Sequence, residues 1–154
     1  MDKTQLIHKL ERAWSSFNAS YAGLIESEMT EPGVTGEWSV RDIIAHVTWW
    51  EEEALKHLPH ILAGGRPPLY SVTYGGIDAF NAEMTELKIG MPLSEVLRNH
   101  TETHQRLIEA IRQAPEEQIT RETRFRRRLR LDTYGHYPEH TDAIMKWRSR
   151  RKAG

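Results

Sequence analysis

The chain contains no cysteine. Disulfide cross-links and a thiol nucleophile of the protein's own are thereby excluded, and the composition fits the cytoplasm. Neither sign of charge is in excess. Lys and Arg total 21 against 22 Asp and Glu, a formal net charge of −1, which gives no overall pull toward nucleic acid or an anionic membrane. No apolar run approaches the ~18 residues of a membrane span. Met1-Asp2-Lys3-Thr4-Gln5 has no basic segment leading into an apolar one, so no signal peptide is expected. Internal repeats, low-complexity blocks and alternating runs long enough for a sheet are also missing.

What the chain does have is helical periodicity. Its 154 residues suit one domain with a real core, expected over about 1–150, with 151–154 as a basic tail that frays together with the residues just before it. Leu6, Leu10, Ala13, Trp14, Phe17, Tyr21 and Leu24 recur at steps of three and four, predicting a helix over about 4–28 that Thr30-Glu31-Pro32-Gly33 breaks. Ser39 is a good N-cap for a second helix over about 39–63, with Asp42 in its acidic first turn. Gly64 to Gly76 reads as a long loop of the kind that covers a site. A short helix is expected over about 77–88, a third long one from Pro92 to about Ala114, and a last one over about 133–150. Residues 121–130 read as a basic connector. Four long amphipathic helices make an all-α four-helix bundle the natural architecture.

Two His-x-x-x-His pairs stand out, His100/His104 and His136/His140. On a helix such residues share one face, one turn apart, so two imidazoles can converge on one cation. Both pairs fall on apolar stripes. A buried imidazole needs partners for its nitrogens, which a metal ion supplies, as do Tyr, Asp or water in a hydrogen-bonded core. Pro138 disfavours helix at Tyr137, so the last helix either starts near Pro138 or has a distorted first turn. His46 lies at the edge of the second helix's apolar stripe, near Trp50, Glu53 and His57, a position that suits a ligand at a pocket mouth or a half-exposed structural histidine. His57 and His60 suit the negative end of that helix's dipole. His8 belongs on the surface. Of five tryptophans, Trp49 and Trp50 are adjacent and cannot share a helix face. One is expected inside, the other in a pocket or, like Trp14, in a homodimer contact.

Together, the first amphipathic helix, the segment Gly36-Glu37-Trp38-Ser39-Val40-Arg41-Asp42-Ile43-Ile44-Ala45-His46-Val47, Asn81 after an apolar residue, Pro92-Leu93-Ser94-Glu95-Val96-Leu97, and Thr133-Tyr134-Gly135-His136-Tyr137-Pro138-Glu139-His140 resemble the DinB/YfiT-like superfamily over about 1–150. The resemblance implies a bundle in up-down-down-up order, often a homodimer. It implies a divalent metal (Zn, Ni or Fe) on His46, His136 and His140 with positions left open. Characterised relatives include thiol-dependent transferases and isomerases. In a chain without cysteine the thiol must come from a low-molecular-weight cofactor such as glutathione, bacillithiol or mycothiol.

The expected function is therefore a metal-dependent S-transferase or hydrolase acting on a small molecule, with Glu53, Glu139 and Asp142 as candidates to orient the ligand rings. His100 and His104 are weak candidates for a general base or additional ligands. A non-catalytic small-molecule-binding or stress-protection protein is the alternative. Nucleic-acid binding through the arginine-rich 121–130 segment is a lesser one, since Glu122 and Asp132 flank the arginines and Glu116 and Glu117 can pair with them.

Overall fold

The computed structural model describes residues 1–153, and Gly154 of the expected tail lies outside them. Asp2 opens α1 (Lys3–Ser20) with a capping box to Gln5, and Leu6, Leu10 and Phe17 of this helix are fully buried. A one-turn helix, α2 (Glu26–Met29), leads to α3 (Val40–Leu62). Ser39 caps α3 through a reciprocal box with Asp42. Ser39→Ala removes that cap and is expected to cost about 1 kcal/mol, read from urea unfolding as a lower midpoint at unchanged slope.

The long connection after α3 holds α4 (Tyr70–Thr73) and α5 (Ile77–Lys88). Arg41 fastens the end of that connection to α3, donating through Nε to the Met91 carbonyl at 2.9 Å and through Nη2 to the Lys88 carbonyl at 2.7 Å. Then come α6 (Leu93–Gln113), α7 (Glu117–Thr120), α8 (Arg124–Asp132) and α9 (Tyr137–Ala153).

Cross-helix pairs fix the directions. Glu11 meets His104 and Asn18 meets His100, so α1 and α6 are antiparallel. Thr48 meets His100 and Glu51 meets His104, so α3 and α6 are parallel. The Tyr137 ring stacks on Phe17, and Arg148 donates to the Ser20 carbonyl, so α1 and α9 are parallel. The four long helices therefore run up-down-down-up. The parallel α3–α6 pair is what requires the long α4–α5 crossover.

Several expectations are corrected. The basic stretch 121–130 is no bare connector. Thr123 caps α8, and Phe125, Leu129 and Asp132 at steps of four and three face inward. Arg126 donates to the Ile119 carbonyl, Arg128 pairs with Asp132, and Arg130 pairs twice with Glu122. With Arg124, which donates to the Gly65 carbonyl at 3.5 Å, four of the stretch's arginines are thus engaged within the chain. The last helix continues through 151–153, because Arg148 reaches the Ser20 and Ala22 carbonyls and Arg151 reaches Glu28 and Glu31 while lying over Trp147. Trp49 and Trp50 are both buried in the chain's own core, 2% and 8% exposed, leaving little of either for a subunit contact. Among the described residues there is no strand, and no helix is long and apolar enough to cross a membrane.

Candidate metal centre and adjoining cavity

His46 stands in the second turn of α3, with the Trp38 ring 4.7 Å from its own and Trp49 edge-on at 4.9 Å. His136 sits in the turn joining α8 to α9, immediately before helix begins at Tyr137. This turn is tight. The Gly135 amide donates to the Arg130 carbonyl at 2.8 Å and the His136 amide to the Thr133 carbonyl at 2.7 Å. A Cβ on Gly135 would lie 2.7 Å from the Arg130 carbonyl oxygen, so glycine is required there. Pro138 falls in the first turn of α9, where its missing N–H has no helical acceptor to lose. His140 follows one turn later and points back at His136.

The three rings meet at one place. Their centroids lie 4.6 to 4.9 Å apart pairwise, and each ring is steeply inclined to the other two. His136 Nε2 is 3.1 Å from His46 Nε2 and 3.0 Å from His140 Nε2. One ring hydrogen can bridge one pair of nitrogens, but neutral rings cannot satisfy three convergent nitrogens this way. Cis ligands at ~2.0–2.1 Å from a cation stand about 3.0–3.4 Å apart, so the observed spacing fits a shared divalent ion. Burial lowers the His46 pKa to about 2, helped by the neighbouring His136 and His140. Burial likewise lowers His136 to about 3 and His140 to about 4. The rings are therefore held neutral, the form that ligates metal.

For two of the rings the expected partners on the far side are not found among the described residues. Nδ1 of His46 and of His136 is buried without a protein hydrogen-bond partner. Glu139 instead turns toward the convergence point, its Oε1 lying 3.6 Å from His136 Nε2 and 3.5 Å from His140 Nε2. Glu53 accepts from the Tyr70 hydroxyl at 2.9 Å and lies 3.5 Å from His57.

A cavity of about 380 Å³ opens beside His46 and His136. Its far wall carries Trp50, Tyr70, Asn81, Arg128 and Asp132. Arg128 Nε donates to Asp132 at 2.6 Å and its Nη2 to the Tyr70 hydroxyl at 2.7 Å. Burial pushes the Asp132 carboxyl up to about 6 against the opposing pull of Arg128. Burial also holds the Tyr70 phenol above its ordinary value. The 64–76 crossover thus contributes a cavity residue, Tyr70. Arg128 and Asp132 escaped sequence reasoning, although their i,i+4 spacing across the Phe125/Leu129 stripe carried the signal.

His100 and His104 form a second, separate cluster between α1, α3 and α6. His100 bonds Thr48 Oγ1 and Asn18 Oδ1, each at 3.0 Å. His104 bridges two carboxylates, Glu11 through Nε2 and Glu51 through Nδ1 at 3.4 Å. Trp14 stacks on the His104 ring at 3.9 Å. Burial opposes charge on His104, but Glu51 and Glu11 outweigh it and raise its pKa above the ordinary histidine value. Glu51 is fully buried, which raises its own pKa despite the His104 ring beside it.

Solved structures share this fold. The colibactin self-resistance protein ClbS, in complex with a dsDNA, is 17% identical over 94% of each chain with a TM-score of 0.79. DfsB, a sibling lethal factor precursor, is 15% identical over 98% of this chain and 97% of its own, TM-score 0.82. An uncharacterised protein from Escherichia coli UTI89 is 13% identical over 98% and 95%, TM-score 0.83. No curated protein sequence matches the chain. The sequence pattern of one family covers residues 9–142, and by that match the chain belongs to the DinB superfamily.

Proposed function

We propose that this protein is a divalent-metal-dependent enzyme of the DinB type, acting as a thiol-dependent S-transferase or as a hydrolase on a small molecule. The observation that carries this reading is the convergence of three Nε2 atoms, two on buried rings and one half-buried, with His136 3.1 Å from His46 and 3.0 Å from His140, on the edge of a cavity. His46, His136 and His140 would hold the ion. When bound, a Zn²⁺, Ni²⁺ or Fe²⁺ ion supplies Lewis acidity, lowering the pKa of a water or thiol that shares its open positions.

The chain's own residues do the rest. Trp38 and Trp49 close the back of His46 and exclude water from that side. Trp50 and Tyr70 shape the apolar wall, and Arg128, held by Asp132 and Tyr70, presents a fixed guanidinium to the cavity. Because the chain has no cysteine, the thiol of an S-transfer must arrive as a cofactor.

Elemental analysis of protein purified without a histidine tag is expected to find about one equivalent of a single transition metal per chain. Incubation with 1-chloro-2,4-dinitrobenzene and glutathione, bacillithiol or mycothiol in turn should then show metal-dependent product with one thiol. Stoichiometric capture of electrophile without turnover would favour a binding and protection role for the same cavity. Absence of metal under every loading condition would remove both the ion and the chemistry assigned to it.

A further inference from the structure

Across the cavity, Asn81 receives two indole hydrogen bonds on one atom. Trp49 Nε1 lies 3.3 Å and Trp50 Nε1 3.1 Å from Asn81 Oδ1. An indole N–H can only donate. The atom facing both must therefore be the amide oxygen, and the flipped amide is excluded on chemical grounds rather than by assignment. Both lone pairs of Oδ1 are engaged. The Nδ2 amide makes no hydrogen bond to another protein group among the described residues, and Asn81 lines the cavity.

Tyr70 and Asp132 on the same wall are paired with Glu53 and Arg128. The Tyr70 hydroxyl gives its hydrogen to Glu53 and accepts from Arg128. Asp132 Oδ2 accepts from Arg128 Nε. Arg128 Nη1 has no protein acceptor among the described residues. Asn81 and Arg128 thus leave donor hydrogen unengaged, an amide N–H pair and a guanidinium edge, on one part of a lining that also carries the Asp132 and Glu139 carboxylates and the His46 and His136 rings. The apolar surface beside it comes from Trp50 and from Ile77 and Leu131 at the rim, 54% and 62% exposed.

We infer that Asn81, with Arg128, recognises an acceptor oxygen, and that the cavity takes a small organic acid with an apolar body. Its carboxylate accepts from Asn81 Nδ2 and the guanidinium, while its carbon skeleton lies against Trp50, Ile77 and Leu131. This inference names the ligand class for the cavity of the proposed function, but it does not require that the triad hold metal.

The test compares 4-phenylbutyrate with 4-phenylbutylamine, which share one carbon body, on chelator-treated protein. Binding is read by calorimetry and by quenching of tryptophan fluorescence. The acid is expected to bind at least about tenfold tighter than the amine, a difference of about 1.4 kcal/mol. Asn81→Asp keeps an oxygen for the two indoles but replaces the donor by an acceptor. It should weaken the acid at least about tenfold and narrow or invert the acid-to-amine preference. A purely structural role would weaken both compounds alike. Amine binding as tight as the acid, no saturable binding of the acid, or an unchanged preference in Asn81→Asp overturns the inference. Because the protein is metal-free, those outcomes leave the metal reading standing, and a triad that never loads metal leaves this one standing.

Discussion

Alanine at His140 is expected to abolish stoichiometric metal binding, and alanine at His136 to do the same. Each substitution deletes one of three protein donors, and weaker losses around metal sites already cost 10–100-fold in affinity. A drop of at least about 100-fold is therefore expected. At saturating metal, the folded state gains RT ln(1 + [L]/Kd), so a 100-fold weaker site forfeits about 2.7 kcal/mol of metal-dependent stability. For a chain of this size that is a loss of about 5–10 °C in the metal-induced rise of the melting temperature. The metal-free variants should keep the helical circular-dichroism spectrum of the metal-free wild type. They also lose one of three mutually crowded, unprotonated nitrogens. Unchanged metal content in both variants would show that the ion sits elsewhere or that none is held.

The second large effect is one of stability. His104→Ala is expected to destabilise the fold by about 3–5 kcal/mol, because it leaves the fully buried Glu51 without its cationic neighbour. Melting should fall by about 10 °C. The pH dependence supplies a signature that a simple cavity lacks. The folded His104 pKa is raised, so its contribution is complete below the unfolded value of about 6.5 and is lost as pH rises through the folded pKa. The raised Glu51 pKa acts in the same direction. The His46, His136 and His140 pKa values are lowered, but these rings are common to both proteins and their slope cancels in the difference between them. As pH rises from the unfolded value through the raised folded pKa of His104, the wild type should therefore lose stability that His104→Ala has already lost, and the gap between them should shrink. A His104→Leu, Glu51→Leu double variant should recover much of the loss, since no buried charge is stranded. A gap constant with pH would mean that His104 is neutral in the fold.

Much of the architecture was written in spacing alone. The apolar steps of α1, α3 and α6, the Ser39 cap and the Gly64–Gly76 break marked three of the four long helices. The direction of the chain through the bundle was not in the periodicity. It came from the resemblance, and in the structure it rests on pairs such as Thr48 with His100 and Glu11 with His104. The His46, His136 and His140 convergence was suggested by the terminal pair and the resemblance together. Regular helical geometry predicted it poorly, because His136 precedes the helix and reaches its place through a glycine-dependent turn. α8 was hidden by its arginines, since charge density masked the inward step from Phe125 to Leu129 and Asp132. With α8 went Arg128 and Asp132, two of the cavity's polar residues. The orientation of Asn81 was beyond any one-dimensional reading, because it depends on two adjacent indoles bending to a single oxygen across 31 and 32 residues of chain.

His46 and His136 are 90 positions apart, yet their nitrogens are neighbours. During synthesis the first of these ligands leaves the ribosome long before its partners exist. On the proposed reading, no ion is clasped until the final helix has emerged and turned back against α1 and α3. Loading of the proposed site would thereby be tied to completion of the chain, and a prematurely terminated product would carry a lone imidazole that competes poorly for metal.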